Sequence, residues 1–140
     1  MECRFCELLK ENNNDTFICK MKHGSLYLNF NQIFFGRTMY IFHQHIEDMT
    51  CIDTDNFFEV DKEIITVAKA IKKIFKPQLV NVASLGNHVQ HLHWHILPRY
   101  FDDPNWGNPP WPHGEKLLTS SEYRELSRKI QLELKRNNVI

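Results

Sequence analysis

The sequence has no surplus of either charge: across 140 residues Lys and Arg total 17, and Asp and Glu also total 17. Without a net positive field there is nothing to hold a long nucleic acid through counterion release, so no nucleic acid polymer is expected as partner, although a small anion can still bind in a local pocket. No apolar run approaches the roughly 20 residues that a membrane span requires. The opening residues Met1, Glu2, Cys3 and Arg4 offer no signal-peptide core, so a cytoplasmic location away from membranes is expected. No segment repeats. No Gly-x-Gly-x-x-Gly follows a strand-like stretch and no Gly-x-x-x-x-Gly-Lys-Ser/Thr loop occurs, so the usual glycine cradles for phosphate are missing and a Rossmann arrangement is disfavoured. Cysteine is sparse, with Cys3, Cys6, Cys19 and Cys51 only. Of these, Cys3 and Cys6 form a Cys-x-x-Cys pair, which in a reducing compartment points to metal or redox chemistry before a disulfide. Cys19 and Cys51 read as small buried apolar residues.

What is present suffices for one compact domain over residues 1–140, with 42% hydrophobic residues to build a core. Leu26, Leu28 and Phe30 alternate with Tyr27 and Asn29, and Thr38 to Phe42 is a second β-prone run after a turn near Gly36. From Asp53 to Lys76, the apolar residues Phe57, Val60, Ile64, Val67, Ala68, Ile71, Ile74 and Phe75 recur at steps of three and four, which predicts one long amphipathic helix. Asp53 or Thr54 caps its start, Lys72, Lys73 and Lys76 suit its negative end, and Pro77 stops it. Leu79 to Leu85 and Val89 to Leu97 read as strands joined at Gly86-Asn87 into a hairpin. Thr119 with Glu122 forms a capping box, and Tyr123, Leu126, Ile130 and Leu134 follow at helical spacing. Strands joined by turns, with helices inserted between or after them, predict an α+β domain on an antiparallel sheet of about five strands, with a long middle helix and a C-terminal helix.

The chemistry is concentrated in His91-Leu92-His93-Trp94-His95-Ile96-Leu97. Side chains on a strand alternate faces, so the three histidines share one face while Leu92, Trp94 and Ile96 take the other. Three adjacent imidazoles are hard to explain by stability, because each needs partners for two ring nitrogens and joint protonation is repulsive. They suit either nucleophilic catalysis or a zinc ion, since His-x-His on a strand lets ring nitrogens converge on a metal, and spacing alone does not separate the two.

The run Gly86-Asn87-His88-Val89-Gln90-His91-Leu92-His93-Trp94-His95-Ile96-Leu97-Pro98-Arg99 closely resembles the signature of the histidine triad (HIT) family of nucleotide hydrolases and transferases, His-φ-His-φ-His-φ-φ with φ apolar. The early Cys-x-x-Cys, the Gly36-Arg37 turn into a strand, His45 after that strand, the middle helix and Asp102-Asp103-Pro104-x-Trp106 extend the likeness over most of the chain. The resemblance implies a covalent mechanism. The catalytic candidates are His91, His93 and His95: His93 would attack the α-phosphorus of a nucleotide, and water would then cleave the nucleotidyl-histidine. A neutral imidazole is nucleophilic near pH 7 if its other nitrogen is fixed as a donor, for which a backbone carbonyl is the expected partner. His95 would bond the phosphoryl or bridging oxygen and, if protonated, stabilise the leaving group.

For nucleotide binding, the resemblance implies Asn87 and the Val89 N–H near the phosphate. It places His88 where several members have serine or threonine, and Asn29 or Asn31 at a ribose or phosphate contact. Asn81 corresponds to an α-phosphate contact only if the loop before Gly86 is one residue shorter. It also implies a structural zinc held by Cys3, Cys6, His45 and His91, with His43 as a competing ligand. A homodimer joined edge to edge is expected as well. The Pro- and Trp-rich segment from Phe101 to Gly114 is too apolar for a free linker, and two readings stay open: a cover over the nucleotide or a dimer seam, with Trp106 or Trp111 stacking on a base, and a purely structural packing loop. His23 and His113 have no motif around them and are expected at the surface.

The leading expectation is therefore a hydrolase acting on dinucleoside polyphosphates or nucleoside phosphoramidates. Two other readings remain open on the sequence: a nucleotide- or partner-binding module with incidental turnover, and a zinc hydrolase that uses the three histidines as ligands.

Overall fold

The computed structural model describes residues 2–111 and 114–140. Five strands, β1 (Phe17–Lys20), β2 (Gly24–Leu28), β3 (Thr38–Phe42), β4 (Leu79–Ala83) and β5 (His93–Arg99), form one antiparallel sheet in the order β1-β2-β3-β5-β4. Alternation along the strands divides the sheet into two faces. Leu26, Leu28, Tyr40, Phe42, Trp94 and Ile96 meet Val60, Ile64, Val67 and Ile71 of helix α2 (Thr54–Phe75) and Leu126, Ile130 and Leu134 of helix α3 (Ser120–Arg136) in the main core. On the opposite face Tyr27, Met39 and Ile41 pack with Phe5 of a short helix α1 (Arg4–Leu8). The protein is thus an α+β fold whose second sheet face is only partly covered, and that face carries the histidines.

Local chemistry explains both long helices. The Asp53 carboxylate accepts from Asp55 N at 2.9 Å to start α2. Lys76 ends it in the left-handed region at φ 50°, with its N–H on Lys72 O. At α3, the Thr119 hydroxyl accepts from Glu122 N, and the Glu122 side chain accepts from Thr119 N, which completes the capping box. Lys73 of α2 reaches Glu133 of α3 at 2.6 Å and ties the two helices together.

Several expectations are corrected. The hairpin is not tight: pairing stops at Ala83↔His95, and residues 84–92 form a long connection folded over the sheet. That connection is held by Leu92 N on Ile46 O at 2.7 Å and Phe42 N on Leu92 O at 3.1 Å, so main-chain bonds go to the segment around His45 rather than to β4. His91 consequently precedes β5, and the strand extends to Arg99. Phe30 lies beyond β2 and is 56% exposed. The four-residue β1 and five-residue α1 were not expected, because neither is long enough to show a period. Cys19 is buried as expected, and burial pushes its thiol up to about 12. Cys51, in contrast, is exposed in a 3-10 turn. His23 is largely covered, because its Nε2 pairs with Glu59. His113 lies outside the described residues. Among the described residues, no helix is long and apolar enough to cross a membrane.

Candidate active site and metal centre

The half-covered sheet face forms the floor of a cavity of about 480 Å³, with His93, His95, Arg37 and Met39 among its lining residues. Gly86, Asn87, His88 and Val89 wall it on one side, Asn29, Phe30 and Asn31 on another, and Trp111, Glu115 and Leu117 close it from the carboxyl side. The fold thus brings His93, His95, Asn87, His88, Val89, Asn29 and Asn31 to the lining of one cavity. Asn31 also has a structural role, because its Oδ1 accepts from Ile33 N and Lys116 N and its Nδ2 donates to Gly114 O. Asn29 accepts from Asn31 N at 3.0 Å, a local turn bond. Asn81 lines other grooves, and its Oδ1 accepts from Arg99 Nη1 at 2.8 Å.

Each motif histidine has its tautomer set by a partner. His93 Nδ1 lies 2.7 Å from the His91 carbonyl oxygen. A carbonyl only accepts, so Nδ1 carries the ring hydrogen and Nε2 keeps its lone pair. Burial lowers the His93 pKa, partly offset by that carbonyl, so the ring is neutral at neutral pH. His91 is arranged the other way round: Nε2 lies 2.7 Å from Phe42 O and must hold the hydrogen, which leaves a lone pair on Nδ1. Burial again lowers its pKa, reinforced by His45 and His93 against the pull of the Phe42 carbonyl. His95 is pushed down to about 3, by burial first, then by the Arg37 charge and the neighbouring His93 ring. It is a neutral ring, and the protonated form considered from the sequence does not suit this floor. The His93 and His95 ring centroids are 5.0 Å apart, and Phe5 meets the His93 ring edge-on at 4.8 Å.

The His91 lone pair points into a second cluster. The ligand atoms of Cys3, Cys6, His45 and His91 all lie within 4.8 Å of one another. Cys3 Sγ and Cys6 Sγ stand 3.4 and 3.6 Å from His91 Nδ1, Cys6 Sγ is 3.4 Å from His45 Nδ1, and the two Nδ1 atoms are 3.2 Å apart. A tetrahedron with bonds of about 2.3 Å to sulfur and 2.0–2.1 Å to nitrogen has S–N edges of about 3.6 Å and an N–N edge of about 3.3 Å. These four atoms therefore fit one tetrahedral zinc ion, with the His91 tautomer already correct for ligation. Burial and then the neighbouring Cys3 raise the Cys6 pKa, as expected for two crowded thiols, and a divalent cation reverses that direction. His43 is not in the cluster, since its Nε2 is 3.0 Å from Ser25 Oγ. With both nitrogens of His91 committed, a metal site built from His91, His93 and His95 has no geometric support.

Two contributors went unnoticed in the sequence as site residues. Arg37, 5% exposed, brings its Nη2 to 3.3 Å from His95 Nδ1. Phe5 bridges the two clusters through both His91 and His93. Trp111 meets His95 at 5.5 Å between ring centroids, and the Arg37 guanidinium carbon is 5.5 Å from its ring. Trp106 instead packs on Phe101 at 4.8 Å. The Trp-bearing segment is stapled by Arg99. Its N–H groups reach both Asp103 oxygens, Asn81 Oδ1, Asn108 O and Asn105 O, which uses all five guanidinium hydrogens.

A buried strand histidine with a carbonyl-fixed tautomer lies on the half-open face of a five-stranded antiparallel sheet, its free ring nitrogen at the floor of a cavity. The sequence pattern of the HIT domain matches residues 10–102, and the chain belongs to the HIT (histidine triad) family. An uncharacterized HIT-like protein of Borreliella burgdorferi is 27% identical over 142 residues, covering 95% of this chain and 99% of that protein. A zinc-bound histidine triad family protein from Mycobacterium smegmatis shares the fold with a TM-score of 0.76 at 18% identity, covering 99% of this chain and 96% of that one. Diadenosine triphosphate hydrolase of Plasmodium falciparum, crystallised with cyclomarin A, has a TM-score of 0.71 at 13% identity, covering 89% of this chain and 79% of that one.

Proposed function

We propose that residues 1–140 act as a single HIT domain that hydrolyses a nucleotide at its α-phosphate through a covalent nucleotidyl-His93 intermediate. The observation that carries this reading is the 2.7 Å contact from His93 Nδ1 to the His91 carbonyl, which leaves Nε2 as the attacking atom at the floor of the cavity. In the first step, Nε2 bonds to phosphorus, the bond from phosphorus to the bridging atom breaks, and its electron pair leaves with the departing group. Nδ1 keeps its hydrogen, and the His91 carbonyl faces the positive charge that develops on the ring. In the second step, water attacks phosphorus, the P–N bond breaks with its pair returning to Nε2, and the water proton goes to solvent. Asn87, the Val89 N–H and His88 line the side on which the phosphates would lie. A relative of this fold that is a diadenosine triphosphate hydrolase supports the choice of reaction.

Cys3, Cys6, His45 and His91 would hold a structural zinc that fixes the segment carrying the orienting carbonyl, a reading supported by the zinc-bound relative. Thiol ligands suit a reducing cytoplasm. The protein would work as a homodimer across its β4 edge.

The test is intact-protein mass spectrometry after incubation with a dinucleoside polyphosphate, quenched in alkaline denaturant because a phosphorus–imidazole bond is acid-labile. A nucleotidyl-sized adduct in the wild type that is missing in His93→Ala is expected. Turnover without any adduct, abolished by metal removal, would overturn the covalent reading. Nucleotide binding with neither adduct nor turnover would leave a binding module.

A further inference from the structure

Arg37 follows Gly36 into β3 and lies on the same sheet face as Met39, which pairs with His95 across the β3–β5 ladder. This register brings the guanidinium against the ring of the third motif histidine, with Nη2 at 3.3 Å from Nδ1. A guanidinium has donors and no acceptor, so His95 Nδ1 must accept and the ring hydrogen must sit on Nε2. His93 is set in the opposite sense by a group that only accepts. Two neighbouring imidazoles thus carry complementary tautomers, one with a bare Nε2 and one with an Nε2–H, each imposed by a partner of fixed polarity. Trp111 packs against both Arg37 and His95, its ring 5.5 Å from the His95 ring and 5.5 Å from the Arg37 guanidinium carbon.

Resting on the hydrolase reading above, we propose that Arg37 is a positioning residue that locks His95 as a neutral Nε2–H hydrogen-bond donor, and that the site therefore takes phosphoanhydrides in preference to phosphoramidates. The second half follows from the balance of the bond-breaking step. A phosphoanhydride leaving group departs as a phosphate anion and needs stabilisation but no proton. An amine leaving group must gain a proton on nitrogen as its bond to phosphorus breaks. A neutral imidazole does not supply that proton, because it would become an imidazolate beside a developing anion. It can donate a hydrogen bond, and the guanidinium behind it opposes any positive charge on the ring. A dinucleoside polyphosphate fits this arrangement better than an aminoacyl-like or amine-linked nucleotide.

The experiment uses the zinc-loaded full chain labelled with ¹⁵N-histidine. Long-range ¹H–¹⁵N spectra report which nitrogen of each ring bears hydrogen, and kinetics on a diadenosine polyphosphate and an adenosine phosphoramidate report the substrate ratio. The expected wild type shows His95 with Nε2–H, His93 with Nδ1–H, and a preference for the anhydride of about 10²-fold, the size of a missing proton transfer. In Arg37→Met, His95 becomes a tautomer mixture while His93 is unchanged. The anhydride rate falls by about 10²-fold, as for loss of one transition-state donor. The phosphoramidate rate falls much less, so the ratio collapses, and Arg37→Lys restores the tautomer and much of the ratio. A merely structural role for Arg37 predicts that both substrates lose equally and the ratio stays; that result overturns the proposal, as does His95 with Nδ1–H in the wild type, which needs no variant to be seen. A wild type that turns over neither substrate while showing the stated tautomers sinks the hydrolase reading and with it the substrate preference, but leaves the Arg37–His95 assignment standing.

Discussion

The carbonyl oxygen of His91 stands 2.7 Å from His93 Nδ1, so the residue that fixes the His93 tautomer through its backbone also offers its ring Nδ1 to the Cys3, Cys6 and His45 cluster. Zinc on that cluster would therefore act on catalysis through the main chain at His91 rather than by touching substrate. Cys6→Ser is expected to reduce zinc below one equivalent by elemental analysis and to lower the thermal midpoint by roughly 10 °C, the shift given by a few kcal/mol in a chain of this size. The hydrolytic rate should fall by about 10–100-fold, as when a supporting shell is loosened, with KM little changed. Unchanged zinc content and midpoint would remove Cys6 from the metal centre.

How much of this site is legible in the sequence depends on the range of the forces that make it. Both long helices are legible because their caps and apolar faces are local: Asp53, Thr119 with Glu122, and the spacing from Val60 to Ile71 are all within one element. The alternation that sends Leu92, Trp94 and Ile96 to the core and His93 and His95 to the other face is equally legible. Helix α1 and strand β1 are not, since Phe5 and Ile18 acquire a role only through partners far along the chain. His45 is reachable only through the family likeness. Arg37 has a usable signal: it keeps the parity of Met39 and Ile41, so its face is fixed once β3 is assigned, but its distance to His95 depends on the β3–β5 register. The open connection in place of a tight hairpin follows from bonds to Ile46 and Phe42, which no local pattern encodes.

The Arg99–Asp103 pair is buried, with side chains 4% and 2% exposed. Burial by itself pushes the Asp103 carboxyl up, but the Arg99 guanidinium and the N–H groups of Tyr100 and Asn105 outweigh it and hold the pKa below the usual carboxylate range. A depressed folded pKa means that this stabilisation is complete above the unfolded value of about 3.9 and is lost as pH falls through that value to the folded one. Asp103→Asn is expected to cost about 3 kcal/mol at pH 7, because Arg99 is left as a buried charge without its counterion, and to flatten the loss of stability below about pH 4. Urea unfolding at pH 7 and pH 3 measures both, and a variant that loses stability in parallel with the wild type across that interval contradicts the assignment.

Strand β4 is an edge of the sheet, and Leu79 and Val82 on it are 40% and 46% exposed, next to Leu85 at 54%. An apolar edge with unpaired backbone groups invites pairing with a second copy. Val82→Lys places a charge in that seam and is expected to convert a dimer into a monomer by light scattering, with the circular dichroism spectrum unchanged. A wild type that is monomeric at micromolar concentration would remove the homodimer from the functional reading.

Trp111 and Trp106 lie in the same segment but face different surroundings, which allows occupancy of the cavity to be read optically. Trp94 is 5% exposed in the main core, and Trp106 meets Phe101 edge to face outside the cavity lined by His93 and His95, so neither should respond to a ligand there. Trp111 lines the cavity beside His95 and Arg37, where an arriving nucleotide displaces water from the indole and places phosphate charge near it. Adding a nucleoside monophosphate to His93→Ala, which holds the cavity without turnover, should quench tryptophan emission saturably. Trp106→Phe in that background should keep the full change, and Trp111→Phe should abolish it while calorimetry still detects binding, weakened by about 1–3 kcal/mol if the indole stacks on the base. A response carried by Trp106 would move the nucleotide to the groove formed with Asn81 and Arg99, and with it the site of the reaction.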